Sequence, residues 1–369
     1  MYGLGDGNEL TSYSDQSLTR IRYAIEEFLK ENPKKSVQFK SIVAQENPIR
    51  LFKQLDQRFN DSSVTVTEHT DHYQVDVDRK IKQSGRRVKG SFAFFQHEQS
   101  HVWTALTAEG SDLFTKGVKW VIRNTPPQIY EFYATSRDLE GVLDRFNESL
   151  DSNPSIEVTQ AVAYSHKDQA EISYKKRPYR IVFARAREGR NYIDSLTFEA
   201  STEEETLLRA SMNRDGSTAL NKGDVDLFFN KLLEQFVSYG DRKADVFTGK
   251  ERDRETGDVQ EIEIQFDNPV FQSTEDNELL VDALTDLTKA SVTVYHANPY
   301  AHVSVLDFND GSSCDVFVTD PKTVSIVPSY RGSTNSLMRI SDKLYRELDE
   351  STLAYIEEPV YGMDDFLGG

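Results

Sequence analysis

The stretch FFQHEQSHVW, Phe94 to Trp103, decides how the first third of the chain is read. On a helix, His97 and His101 would fall one turn apart on a common face, with Glu98 between them. On a pair of strands, the same residues are the polar tip of a hairpin. The neighbours favour the second reading: Ser91, Phe92, Phe94, Phe95, Val102, Trp103 and Thr104 are modest helix formers and mostly good strand formers. Phe92 and Phe94 share one side of an extended chain, Ala93 and Phe95 the other, and His97-Glu98-Gln99-Ser100 leads back into a second strand. A β-hairpin with surface histidines is expected.

The competing reading is chemical. H-E-x-x-H is the spacing of zinc peptidases, in which two imidazoles one helical turn apart hold the metal and the glutamate activates its water. A zinc metallopeptidase using His97, Glu98 and His101 is therefore the alternative function. It lacks a recognisable third ligand, since Thr104 and Thr107 stand where a longer motif has Gly and His, and Glu109, Glu131 and Glu140 lie in no matching helical setting. A metal-dependent nuclease built on Asp307, Asp310, Asp315 and Asp320 with His296 and His302 is a weaker alternative. Against it, Asn309-Asp310-Gly311-Ser312 is turn chemistry between alternating strands. Asn213-Arg214-Asp215-Gly216 has part of a calcium loop's pattern, but Ser211 and Lys222 occupy the positions that need carboxylates, so a turn is expected there as well. No catalytic residue, metal site or cofactor is assigned.

Outward from the hairpin, the chain alternates helical and two-residue periods. Helices are expected from Ser17, with Ile21, Tyr23, Ala24, Ile25, Phe28 and Leu29 recurring at roughly helical spacing, and from Pro48 to Phe59. Val64–Glu68 and Tyr73–Asp78 read as strands around a His-Thr-Asp-His turn. The same helix-then-hairpin order returns in LEGVLDRFNESL with SIEVTQAVAY, in ELLVDALTDLTKA with SVTVYHANPYAHVSVLDF, and in VDLFFNKLLEQF with ADVFTGK and EIEIQF. The tetrapeptide SVTV occurs at Ser63 and again at Ser291, which suggests degenerate repetition. The expected class is α+β, in tandem units of mainly antiparallel sheet with flanking helices. The boundaries are a mobile tail over 1–15, units over 16–150, 155–240 and 244–350, and an acidic, aromatic tail over 351–369.

Within residues 16–80, a helix, the strand SVQF, a short helix FKSIVAQ, a further helix and a hairpin spell the order of a winged helix. Such a module would present Arg50, Lys53, Gln54, Gln57 and Arg58 to a nucleic acid. Tyr361, Phe366 and Leu367 near the closing Gly-Gly are candidate anchors for a protein partner.

Across 369 residues, 61 Asp and Glu outnumber 43 Lys and Arg, a net charge of −18 that opposes unassisted binding to a polyanion while leaving room for a local basic patch. One cysteine excludes an internal disulfide. No apolar run reaches the roughly 18 residues of a membrane span, and no signal-like segment opens the chain, so a cytoplasmic location without membrane contact is expected. The function these features favour is non-enzymatic: a soluble scaffold, adaptor or recognition subunit of a larger, nucleic-acid-handling or defence assembly. Its partner is a protein, with nucleic acid reached through the N-terminal unit or through that partner.

Overall fold

Ser17 caps the first helix. Its hydroxyl accepts from the Arg20 amide, and α1 (Leu18–Glu31) buries Ile21, Ile25, Phe28 and Leu29 of the expected stripe but leaves Tyr23 exposed and Ala24 half-buried. The computed structural model describes residues 17–125, 129–150, 154–248, 250, 260–298, 300–329 and 331–355. The expected tail over 1–15, and the closing one beyond Tyr355, lie outside the described residues.

β1 (Val37–Ala44) comes next and corrects the expected helix FKSIVAQ. Nearly every residue of this strand is buried, so its apolar positions run on without alternation and resemble the start of a helix. The single helix expected from Pro48 to Phe59 is two short ones, α2 (Ile49–Lys53) and α3 (Leu55–Arg58), separated at Gln54. Four strands follow as a meander: β2 (Ser62–Glu68), β3 (Tyr73–Lys80), β4 (Arg87–Gln96) and β5 (Val102–Thr107). The chain then turns through α4 (Ser111–Leu113), a π-helical turn (Phe114–Val118) and α5 (Lys119–Arg123), and returns as β6 (Ile129–Tyr130) beside β1.

A second series begins with α6 (Ser136–Glu148), closed at its start by a capping box of Thr135 and Asp138. It continues through β7 (Ser155–Ser165), β8 (Glu171–Tyr174), β9 (Arg177–Pro178), α7 (Tyr179–Glu188), β10 (Asn191–Ser201), β11 (Thr206–Asn213) and β12 (Ser217–Gly223). Its last helix is again broken by a π turn: α8 (Val225–Leu227), Phe228–Leu233, then α9 (Glu234–Phe247). The segment ADVFTGK, expected as a strand, is helical through Phe247, because the apolar spacing of α9 carries on into Ala244 and Phe247, both buried.

The chain divides into two compact units, Met1–Asp245 and Val246–Gly369. The first holds a 12-stranded antiparallel sheet ordered β2-β3-β4-β5-β1-β12-β11-β10-β7-β8, with β6 paired to β1 and β9 to β7. Pairing of β1 with β12, from Val37↔Leu220 to Lys40↔Ser217, draws residues on both sides of 151–155 into this one sheet. One cluster of its core gathers Phe52, Phe92, Phe94, Trp103, Val118 and Ile122 under α2 and the broken helix.

The second unit contains β13 (Ile262–Phe266), a 3-10 turn (Thr274–Asp276), α10 (Asn277–Thr285), β14 (Ala290–His296), β15 (His302–Asp307), β16 (Ser313–Asp320), β17 (Thr323–Pro328), α11 (Thr334–Glu347) and β18 (Ser351–Tyr355). Its sheet is ordered β14-β15-β16-β17-β13-β18. The residues from Ser351, expected as tail, begin as a strand because β13 offers them a free edge, Phe266↔Ser351 to Ile262↔Tyr355. The order β14-β15-β16-β17-β13 matches β2-β3-β4-β5-β1 of the first unit, and the two SVTV segments lie in the corresponding strands β2 and β14.

Candidate functional site

The H-E-x-x-H residues sit on a hairpin. β4 and β5 pair from Ala93↔Leu106 to Gln96↔Trp103, and the amide of His97 donates to the carbonyl of Val102 at 3.1 Å. The His97 ring turns inward, with Nε2 2.9 Å from the hydroxyl of the fully buried Thr104. Burial first, and then the Arg22 guanidinium, pull this imidazole down to about 4. His101 and Glu98 are exposed, and the His101 amide donates to the Asp241 carboxylate at 3.0 Å. The two imidazoles therefore occupy different surroundings and are not one helical turn apart, the arrangement on which the peptidase reading depends. The expectation of surface histidines fails for His97, because Thr104 offers a buried hydroxyl to a ring on the inward side.

Arg50, Lys53, Gln54, Gln57 and Arg58 are all exposed, on α2, α3 and the residue between them. The winged-helix expectation is not confirmed around them: β1 runs on from SVQF through the expected helix FKSIVAQ and pairs with β5 and β12 inside the large sheet. Tyr361, Phe366 and Leu367 lie outside the described residues.

The C-terminal acids serve the fold. Asp307 is fully buried and paired to Arg339, which also donates to the Thr288 carbonyl. Asp310 accepts from the amide and hydroxyl of Ser312 and from the hydroxyl of Ser333, the N-cap of α11. Asp315 faces His302 at 3.4 Å, and Asp320 accepts from the Lys322 amide. No group of three or more metal-ligating side chains converges among the described residues.

The strongest electrostatics were not legible in the sequence. Lys40 on β1 has a fully buried side chain, with Nζ 2.8 Å from Glu131 Oε1, 3.8 Å from Asp215 Oδ2, and donating to the Asp215 carbonyl. Lys119, the first residue after the π turn, reaches the same Asp215 carboxylate at 2.6 Å, and Arg123 reaches Glu131 at 3.2 Å. Burial pushes both carboxyls up, but Lys40 with Lys119 at Asp215, and Lys40 with Arg123 at Glu131, outweigh it and hold both below the ordinary carboxylate range. Gly216 closes the Asp215 turn at φ +80°, where a Cβ would stand 2.8 Å from the Ser41 carbonyl. The turn was expected; its buried charges were not. The groove of about 700 Å³ along α1 and the end of β12 is lined by none of these network residues. Their chemistry is mutual neutralisation between the two halves of the first sheet.

The exposed apolar surface lies elsewhere. Of eight large hydrophobic residues exposed among the described ones, Val294, Tyr295, Tyr300, Leu306 and Phe308 fall between 294 and 308, on β14, β15 and their flanking turns. Tyr295, His302 and Phe317 form a row across three strands, Tyr295 tilted against His302 and His302 stacked on Phe317, with ring centroids 4.7 and 4.3 Å apart. β14 ends its sheet, and among the described residues no strand covers its outer edge. Ala290–His296 contains no charged residue and no proline. The second unit carries 24 Asp and Glu against nine Lys and Arg, so −15 of the net −18 belongs to residues 246–369. Alternation in SVTVYH and VSVLDF marked the strands, but neither their position at a sheet edge nor the exposure of both faces can be read from period alone.

No protein-family model matches the chain, and no curated protein matches it.

Proposed function

We propose that the protein is a non-enzymatic recognition subunit that captures an extended, basic segment of another protein along β14. The observation that carries this reading is the concentration of exposed apolar side chains at an uncovered, uncharged sheet edge. Edge strands in soluble proteins usually carry Lys, Pro or a cover that blocks pairing, and Ala290–His296 has no Lys or Pro. An added strand would satisfy the outward amides and carbonyls of β14 and lay alternate side chains over Tyr295 on one face and Val294 on the other. The charge of −15 in this unit selects a cationic partner and repels a second copy of the same unit. The matching strand orders of the two units support reading β2 and β14 as equivalent edges of a repeated fold, with β2 more covered because Val64 is buried.

Panning a displayed library of ten-residue peptides against the full chain tests this. The reading requires enrichment of sequences alternating Lys or Arg with β-branched or aromatic residues. Binding of an enriched peptide should fall about tenfold or more in Tyr295→Ala, disappear in Thr293→Lys and weaken with salt. Enriched peptides that bind both variants as tightly as the parent would overturn it.

A further inference from the structure

A strongly basic stretch of this acidic chain is KKRPYRIVFARAREGR, Lys175 to Arg190, where seven cations meet one acid. The stretch runs from the end of β8 through β9 and along α7. Tyr179, Val182, Phe183 and Ala186 bury the inner face of α7, and all seven cations are exposed. Arg180 is engaged with Asp144 at 3.4 Å and Arg187 with Glu140 at 2.6 Å, both acids on α6. Lys175, Lys176, Arg177, Arg185 and Arg190 make no ion pair among the described residues. Glu140, Asp144 and Glu188, with Glu157 opposite Pro178 on β7, leave the strip with a surplus of three positive charges.

We propose that this face, the β8–β9 turn and α7, binds the phosphate backbone of a nucleic acid without reading its sequence. Ten helical residues span about 15 Å, the length over which a duplex presents about nine phosphate charges. Five of the seven cations are arginine, whose planar fork meets phosphate oxygens in pairs. A lipid surface fits less well, because an interfacial helix needs a free apolar face and Ile181 is the one large hydrophobic residue exposed on α7. The site is separate from α2 and α3, where the sequence pattern placed nucleic-acid contact, and is independent of capture at β14.

The test is fluorescence anisotropy of a labelled 20-base-pair duplex of arbitrary sequence, titrated with the full chain from 50 to 300 mM NaCl. Five phosphate contacts predict a log–log salt slope of about −4 to −5. The triple variant Lys175→Ala/Lys176→Ala/Arg177→Ala should weaken binding at 50 mM at least tenfold and reduce the slope by about 3, while Arg50→Ala/Lys53→Ala changes neither. Arg185→Glu, a single exposed position, gives a second reading should the triple variant misfold, and it should weaken binding at least threefold. No binding at 50 mM, binding that these variants leave intact, or stronger retention on phosphatidylserine vesicles than on the duplex would each overturn the proposal.

Discussion

Lys40 shows what one buried charge does in this protein. With no exposure and two carboxylates beside it, its ammonium is tolerated because Glu131 and Asp215 supply the compensation that water would give. Lys40→Met removes the charge and leaves those carboxyls facing Lys119 and Arg123 alone. The expected loss is about 3 kcal/mol, read from the urea midpoint of tryptophan fluorescence. Both carboxyls titrate below their ordinary range in the folded chain, so the unfolded chain binds protons first on acidification. The stability they contribute is present above about pH 4 and falls away below it. Glu131→Gln should flatten that acid limb. His97 acts at higher pH with the same sign: the folded ring titrates near 4 and the unfolded one near 6.5, so the folded state loses stability as pH falls from 6.5 towards 4. Between pH 7 and 5, the parent should lose about 2 kcal/mol more than His97→Gln in chemical denaturation. None of these partnerships was visible in the sequence, since Lys40 is 91 positions from Glu131 and 175 from Asp215, and only the sheet brings them together.

Among the elements, the hairpins were legible and the irregular pieces were not. β2 with β3, and β4 with β5, follow from two-residue alternation and turn residues, and α1, α6 and α10 from helical stripes. β1 misled because burial on both faces erases alternation, and α9 because its apolar spacing outlasts the polar stretch SYGDRKAD. The π turns have no periodic signature at all. Each adds a residue to one helical turn and so advances the phase of everything after it, which is how Lys119 comes to face Asp215. Deleting Thr115 restores ordinary helical phase and swings Lys119 by about 100° relative to the residues before it. Its unfolding midpoint should fall at least as far as that of Lys119→Met; a deletion variant as stable as the parent would remove the π turn from this role.

At the scale of the whole molecule, the charge is divided unevenly, −3 on residues 1–245 and −15 on 246–369. Self-repulsion of that size is relieved by salt, while a nearly neutral unit responds little. Both tryptophans, Trp103 and Trp120, belong to the first unit, so their fluorescence follows that unit alone, whereas far-UV circular dichroism follows both. Raising NaCl from 0.05 to 1 M should move the dichroism transition upward by several degrees and leave the fluorescence transition nearly where it was. Cys314 supplies the complementary signal. It lies on β16 with 2% of its surface exposed, and burial, then Asp315 and Asp307, push its thiol far up from the ordinary range. In the native state the sulfur is thus both shielded and protonated, and a disulfide reagent must wait for β16 to open. Its labelling rate is a clock for breathing of the acidic unit, and a peptide bound along β14 should slow that clock by tightening the sheet from its rim.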